Sequence, residues 1–479
     1  KGHYLLSGNY FRYGSPTDRN GDGFTDLTLQ HRGGIFARYA ESQANGENMR
    51  LGARLLAENR FGGQMDFTPA MRGSDSLYGE HIQTRRGEFF WATPFRLGKT
   101  LYTAAGAFSG HLQDSYYGTT GYAAQQYIGF AQITGTHKWN ERHNTLHGIA
   151  ARYTYYDDNT AATAELSGSN RPDAAPLPGA FAQHEWKPTP KHTLLLGGRM
   201  DYDTRHGLIP TPRVAWKWSP SPLHTLRINA GSGFRVVNLF TEEHAALTGS
   251  RRTELAERLR PERTWSSNLD YLTYITLGRH LISVNINLFA NYFTNKILPD
   301  YESDPEVIRY ANLDGYALYT GGALTVEWNT GGPLYARSGV TLLNARTHTP
   351  AGIIEPYLTE WANGSWLAAW RVRKWNMRLE YTGNLVGPMR LPTFAHDPRP
   401  SRSPWHSIQN LQITKTFSNL GLEIYGGVKN LLNFRPAANS ITPHQALRTE
   451  RITSTPPWLI DYGRRGIPGI RPGRPPISN

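Results

Sequence analysis

Between His192 and Trp265 apolar and polar residues alternate with a period of two. In Thr193 to Asp203, Leu194, Leu196, Gly198, Met200 and Tyr202 fall on one face. Thr193, Gly197, Arg199, Asp201 and Asp203 fall on the other, with Leu195 as the exception. Thr211 to Ser219 repeats the pattern, with Val214, Trp216 and Trp218 opposing Arg213, Ala215 and Lys217. His224 to Arg235 does so again, setting Leu226, Ile228 and Ala230 against Arg227, Asn229 and Arg235. This period belongs to β-strands with one wet and one apolar face. Full charges stand in mid-strand on the wet face, Trp, Tyr and Phe crowd the apolar one, and short and long connections alternate along the chain. The combination predicts a transmembrane antiparallel β-barrel with lipid outside and a polar bore inside. Hydrocarbon offers no partners for free backbone groups, so a spanning sheet must close on itself.

Reading the rest of the chain the same way gives about nineteen strands. They are expected near Gly2, Leu27, Met49, His81, Thr100, Gln125, Asn144, Gly179, Thr193, Thr211, Thr225, Glu262, Leu281, Tyr316, Leu334, Ser365, Trp375, Ser407 and Leu420. RLGK, NER, TPK, GR and GGP read as tight periplasmic turns. Phe61 to Glu80, Asp158 to Pro178 and Val236 to Arg260 read as long extracellular loops. Long loops without structure of their own are usually functional, so their shared rim is the expected binding side.

Two phrases at the end of the opening run carry a resemblance. GSGFRVVNLFTEE (Gly231 to Glu243) followed by LRPERTW (Leu259 to Trp265) resembles the mid-barrel signature of TonB-dependent outer-membrane receptors. Tyr310-Ala-Asn312-Leu-Asp314-Gly315, Asn291-Tyr-Phe-Thr-Asn-Lys-Ile297 and Val428-Lys-Asn430-Leu-Leu-Asn433 are similar in the same order, so the likeness covers about residues 2 to 435. The resemblance implies an all-β barrel of about 22 strands whose bore holds a globular plug. Residues 1–435 are then the barrel portion, starting about two strands late and without the plug. Residues 436–479, ending GRRGIPGIRPGRPPISN, are a Pro/Arg-rich irregular tail in place of an aromatic-ended closing strand. It further implies a Gram-negative outer-membrane receptor that binds a scarce chelate, a ferric siderophore or cobalamin, at its extracellular face. Import would use energy delivered by the TonB complex through an N-terminal region. A passive porin is the alternative, and an outer-membrane hydrolase using Asp157 and Asp158 is a third reading.

Composition narrows the choice. With 479 residues the chain is long enough for several soluble domains, yet no break between two cores is evident. It has 26 Tyr, 18 Phe, 13 Trp and 48 Gly at a mean hydropathy of −0.53, which suits faces that cancel in a hydropathy average. No apolar run approaches the roughly 20 residues of a membrane helix. The opening KGHYLLSGNYFRY is strand-like and no signal peptide is expected there. Zero cysteines excludes disulfides and thiolate chemistry. The net charge of +13 is spread over alternating strands and the tail, so it reads as a positive bore and rim that draws anions, and no nucleic-acid partner is expected.

Four groups are candidates for chemistry. Asp18, Asn20, Asp22 and Asp26, with the Phe24 carbonyl and Gly23 at the sixth position, match the front of a calcium loop, although Leu29 stands where the final Glu belongs. Cobalamin receptors of the family are similar in using calcium-bound aspartates in early outer loops; a plain Asn-Gly and Asp-Gly turn is the alternative. Tyr116, Tyr117, Tyr155 and Tyr156, with Asp114, Asp157, Asp158, Asp201 and Asp203, stand where strands reach the outer rim. They would stack on a flat ligand or form the aromatic girdle. Arg199, Arg213, Lys217, Arg227 and Arg235 share the bore face and would guide anions or pair with carboxylates of a plug. Arg235 also counts as a ligand contact. Glu262 matches the Pro-Glu step, and family barrels set such glutamates against plug arginines, although Asn268 replaces a second family glutamate. His244 falls near a haem-ligand position of the family without the accompanying phrase. Enzyme readings are weak. Gly231-Ser-Gly233 lacks a third glycine and a following helix, and no G-x-S-x-G or H-E-x-x-H occurs.

Overall fold

A computed structural model describes residues 2–19, 21–42, 48–160, 163, 169–237, 252–304, 306–393 and 400–434. The tail, Asn20 and His244 lie outside the described residues. The strands in chain order are β1 (Gly2–Tyr13), β2 (Leu29–Ser42), β3 (Asn48–Gly63), β4 (Gly79–Leu97), β5 (Thr100–Tyr117), β6 (Thr120–Lys138), β7 (His143–Asp158) and β8 (Asp173–Thr189). They continue as β9 (His192–Asp203), β10 (Gly207–Ser221), β11 (His224–Arg235), β12 (Arg252–Leu255), β13 (Glu262–Leu277), β14 (His280–Asn295), β15 (Ile297–Asp300) and β16 (Val307–Asn312). The last are β17 (Tyr316–Asn329), β18 (Leu334–Thr349), β19 (Gly352–Ile354), β20 (Ala362–Val372), β21 (Met377–Val386), β22 (His406–Phe417) and β23 (Leu422–Val428).

Twenty strands form one antiparallel sheet; β12, β15 and β16 form a second sheet of three. In the large sheet β19 is a three-residue arm on β18, and every other strand pairs with its neighbours along the wall. Among the described residues, β1 pairs only with β2 and β23 only with β22.

The wall is inside out relative to a soluble sheet. In β9 the apolar Leu196 and Tyr202 are 53% and 48% exposed, whereas Asp201 and Asp203 are 1% and 2% exposed. Cross-strand register carries this parity around the wall, because Leu196 faces Val214 on β10 and His184 on β8. Apolar side chains therefore cover the outside and charges the inside, as a bilayer demands. The inward charges are mostly paired within the wall. Arg199 meets Asp201 at 2.6 Å, Arg227 meets Asp270 at 3.1 Å, and Arg86 meets Glu88 at 2.7 Å.

The connections sort by length. On one rim the turns 98–99, 139–142, 190–191, 222–223, 278–279, 330–333, 373–376 and 418–421 are all short. The five turns expected to be tight lie on this rim. The opposite rim carries 14–28, 64–78, 159–172, 236–261, 296–315 and 387–405. Three strand starts differ from expectation by four residues or more. β8 begins at Asp173 and β10 at Gly207 because Pro176, Pro178, Pro210 and Pro212 sit inside them, where a residue without an N–H looks like a breaker. β6 begins at Thr120 because a two-residue turn, with Gly118 at φ +60°, lets Tyr117 pair directly with Thr120.

Candidate functional site at the long-loop rim

The small sheet is built from two loops of the long-loop rim. β12 lies parallel to β16, and β15 runs antiparallel to it. Ile297, Tyr301, Ile308 and Tyr310 of this sheet and its flanks are buried against Tyr117 and Tyr122, at the tip of the β5–β6 hairpin. The loops leave the wall at β11, β13, β14 and β17, well around the sheet from β5 and β6, so the contact spans the mouth. Ile82, Leu259 and Tyr357 pack against the same cluster. The result is a roof over the bore, joined to two regions of the wall.

The phrases that carried the family resemblance form one attachment of this roof. Glu262 accepts hydrogen bonds from the Arg235 guanidinium at 2.8 and 3.0 Å and from the backbone N–H of Ile297 at 3.0 Å. Asn295 donates to the Pro261 carbonyl at 2.9 Å. Asn312 accepts from the Arg260 N–H at 2.8 Å and donates to the Arg258 carbonyl at 2.9 Å. Lys296 donates to the Tyr319 hydroxyl at 2.6 Å, its ammonium 4.7 Å from that ring's centre. Gly315 has φ +127°, and a Cβ there would stand 2.0 Å from the His348 carbonyl oxygen, so only glycine closes this corner.

A charged network ties the roof to the neighbouring loops. The Arg390 guanidinium donates to Glu302 at 2.9 Å, to the Glu355 carbonyl at 3.1 Å and to the Tyr357 hydroxyl at 3.3 Å. It also stacks 4.4 Å above the Tyr357 ring, which meets Tyr301 edge-on at 5.4 Å. Arg346 and Arg402 both hydrogen-bond the Glu355 carboxylate. The Arg346 hydrogen bond, helped by Arg402, holds the Glu355 carboxyl below its usual range, while burial pushes the Tyr357 phenol up. Two guanidiniums share the Glu355 carboxylate. Beside them is a cavity of about 370 Å³ lined by Arg346, Glu355, Glu360, Trp361 and Arg402. This set joins guanidinium donors to an indole, a chemistry suited to a flat guest with hydrogen-bond acceptors.

The residues singled out from sequence fall in different places. Tyr117 and Tyr156 point inward and are 3% and 1% exposed. Tyr117 holds the roof cluster, and the Tyr156 hydroxyl donates to Asp158 and lies 2.9 Å from that of Tyr122. Tyr116 lies under the Arg72 guanidinium at 4.6 Å, and Tyr155 neighbours Tyr127 at 6.1 Å. Both stand on the outward parity of their strands, so the four tyrosines do not converge on one surface. Arg72 also pairs with Asp114 at 2.5 Å. Asp203 pairs with Arg205 at 3.1 Å, and Gln125 donates to Asp157 at 3.0 Å. Asp157 and Asp158 face opposite sides of β7 and form no acid-base pair.

Arg199, Arg227, Arg235 and Glu262, read as plug contacts, have partners inside the barrel itself. Arg213 lies across two strand positions that lack side chains, its methylenes 3.1 Å from where Cβ atoms of Gly197 and Gly231 would stand. Lys217 faces Thr193 and Arg227 in the ladders.

In the proposed calcium loop, Asp18 accepts backbone N–H bonds from Gly21 at 2.7 Å, Asp22 at 3.2 Å and Gly23 at 2.9 Å. Asp22 accepts from the Phe24 N–H at 2.8 Å, and Asp26 from the Arg19 N–H at 2.9 Å. The acids are spent on the turn. Among the described residues no three His, Asp or Glu side chains gather as a metal site, and Asn20 of the loop lies outside those residues. Sequence reasoning missed Arg346, Glu355, Tyr357, Arg390 and Arg402, because they meet from the end of β18 and two separate loops and share no local spacing.

Residues 2–431 match a family profile described as "TonB dependent receptor-like, beta-barrel". Comparison with curated proteins found no match. Among solved structures, the chain is similar to the FrpB iron transporter from Neisseria meningitidis (F3-3 variant). That likeness has a TM-score of 0.65 and 13% identity, over 90% of this chain and 73% of that one. It is also similar to the siderophore receptor PirA from Acinetobacter baumannii, with a TM-score of 0.66 and 12% identity over 90% and 71% of the two chains. The copper transporter OprC gives a TM-score of 0.68 and 12% identity over 91% and 72%.

Proposed function

Because the chain belongs to the TonB-dependent receptor β-barrel family, whose members are outer-membrane transport proteins of Gram-negative bacteria and not enzymes, we propose that it imports a scarce metal chelate. The chelate is of the ferric siderophore or cobalamin class, bound at the long-loop face. The observation that carries this reading is the roofed mouth, with Arg346, Arg402 and Trp361 beside it. An always-open pore has no use for loops latched across its bore, whereas a receptor that captures dilute cargo needs a binding surface there. The excess positive charge suits an anionic chelate. Release inward would follow from different affinities before and after rearrangement of the loops and of a plug in the bore, driven through TonB. The iron, siderophore and copper cargo named for the similar structures supports a metal-bound ligand for this chain. Calcium in the Asp18–Asp26 loop is not required by this reading.

The test is uptake of radiolabelled ferric siderophores and cobalamin by cells that lack their own receptors and carry this protein. Accumulation against a gradient that stops when a protonophore collapses the inner-membrane potential is the expected result. Uptake of small solutes that is indifferent to the protonophore would identify a passive porin instead.

A further inference from the structure

Seven of the 17 histidines gather on the lipid-facing side at the short-turn rim. His143, His192, His224 and His280 are the first residues of β7, β9, β11 and β14, while His137, His147 and His184 lie near the same ends of β6, β7 and β8. Their outward direction follows from register. His184 stands opposite Leu196, His192 opposite Trp218, and His143 opposite Trp186. Aromatic rings interleave with them. His137 lies 4.3 Å from Trp139, His192 lies 5.7 Å from Trp216, and His280 lies 5.9 Å from Trp328. Such rings mark the level where hydrocarbon meets headgroups.

Three of the imidazoles are held in a common way. His137 Nδ1 is 2.7 Å from Thr100 Oγ1, His143 Nδ1 is 3.0 Å from His184 Nε2, and His224 Nδ1 is 2.9 Å from the Tyr271 hydroxyl. In these three the protein engages Nδ1, and among the described residues their Nε2 atoms have no protein partner; His184 and His147 differ, since their Nε2 atoms lie 3.0 Å from His143 Nδ1 and 3.4 Å from the Tyr102 hydroxyl. Around them the turns carry Lys99, Arg142, Lys191 and Arg279, all exposed and without an ion pair among the described residues. The nearest acids on β6 to β9 are neutralised. Glu141 is paired with Lys138 at 2.7 Å and Glu185 with Lys187 at 2.9 Å.

We propose that this belt is a docking surface for anionic phospholipid headgroups of the periplasmic leaflet. The Nε2 atoms of His137, His143 and His224 and the turn cations hydrogen-bond phosphate oxygens, while the indoles lie along the upper acyl chains. Net positive charge at headgroup depth selects anionic over zwitterionic lipid, each such cation contributing about fivefold to partitioning.

The full chain is to be reconstituted with phosphatidylglycerol and phosphatidylcholine in equal parts, and the lipids retained on gentle extraction counted by native mass spectrometry. Phosphatidylglycerol should be enriched. The combined variant His137→Leu, His143→Leu and His224→Leu should lose that preference, and Tyr153→Leu, on the outward face nearer the other rim, should keep it. The pair Arg142→Gln and Lys191→Gln removes charge without touching a ring, so it reads the effect even if the histidine variant fails to insert. It should lower enrichment roughly fivefold per charge. Equal retention of the two lipids by the unaltered protein overturns the proposal, as does full preference in both variants. A preference abolished by EDTA also overturns it, since a bridging metal ion would then be the true ligand of the imidazoles.

Discussion

At the scale of single residues, the mouth depends on a few polar side chains that each serve several partners. Glu262 and Asn312 satisfy the backbone N–H groups of Ile297, at the start of β15, and of Arg260, and leaving such donors bare costs about 1–3 kcal/mol each. Glu355 joins three arginines: Arg346 of β18 and Arg402 through its carboxylate, and Arg390 through its carbonyl. Because its folded carboxyl lies below its unfolded value, its stabilisation is complete above the ordinary carboxylate range, near ~4.3. It is lost as pH falls through the lower folded value. Limited proteolysis across that window should therefore cut the loops around Glu355 only on the acid side, and Glu355→Gln should be cut at neutral pH as well. A cutting pattern that ignores pH would remove Glu355 as the link. From the sequence, LRPER, NYFTNKI and YANLDG could be seen to matter, but not that they matter by meeting one another. Glu262 reads from the sequence as a plug contact, and the structure adds that it accepts from Arg235 and from the Ile297 N–H.

At the scale of elements, wall and roof differ in how they are encoded. All nineteen expected strands are present, because each wall strand announces itself by alternation and each pairs with its neighbour through a local turn. Errors arose where prolines stand inside β8 and β10, whose backbones extend through residues that usually end a strand. The roof was invisible for the opposite reason. β12 pairs with β16 across an intervening hairpin, and four- to six-residue strands carry too few positions to show a period. Burial of Tyr310, at 1% exposure, fastens the roof to the β5–β6 tip. Tyr310→Ala should forfeit roughly 3 kcal/mol of that packing. Hydrogen exchange should then quicken together at residues 117–122 and 297–312 and leave the β9–β10 ladder unchanged. Exchange confined to the site of substitution would mean that the roof stands without this contact.

At the scale of the whole molecule, the decisive property is the inversion of polarity between the two faces of one sheet. A charge on the outer face near mid-wall should be expelled by lipid. Leu55→Arg, in the middle of β3 on the outer face, is expected to lower the folding free energy in bilayers by about 2–4 kcal/mol, while Asn229→Arg, facing the bore, should be nearly neutral. Urea titrations in lipid vesicles compare the two, and equal losses would contradict the assignment of faces. The bridged mouth also has a bearing on how the protein comes into being. Wall ladders join segments adjacent in sequence, but Ile308 must find Tyr117 after most of the intervening chain has been laid down. The entropy of so large a loop weighs against early closure. The cylinder should thus zip up hairpin by hairpin with its top unfinished, and the newly inserted protein would pass through a stage that spans the bilayer before it can grip any cargo.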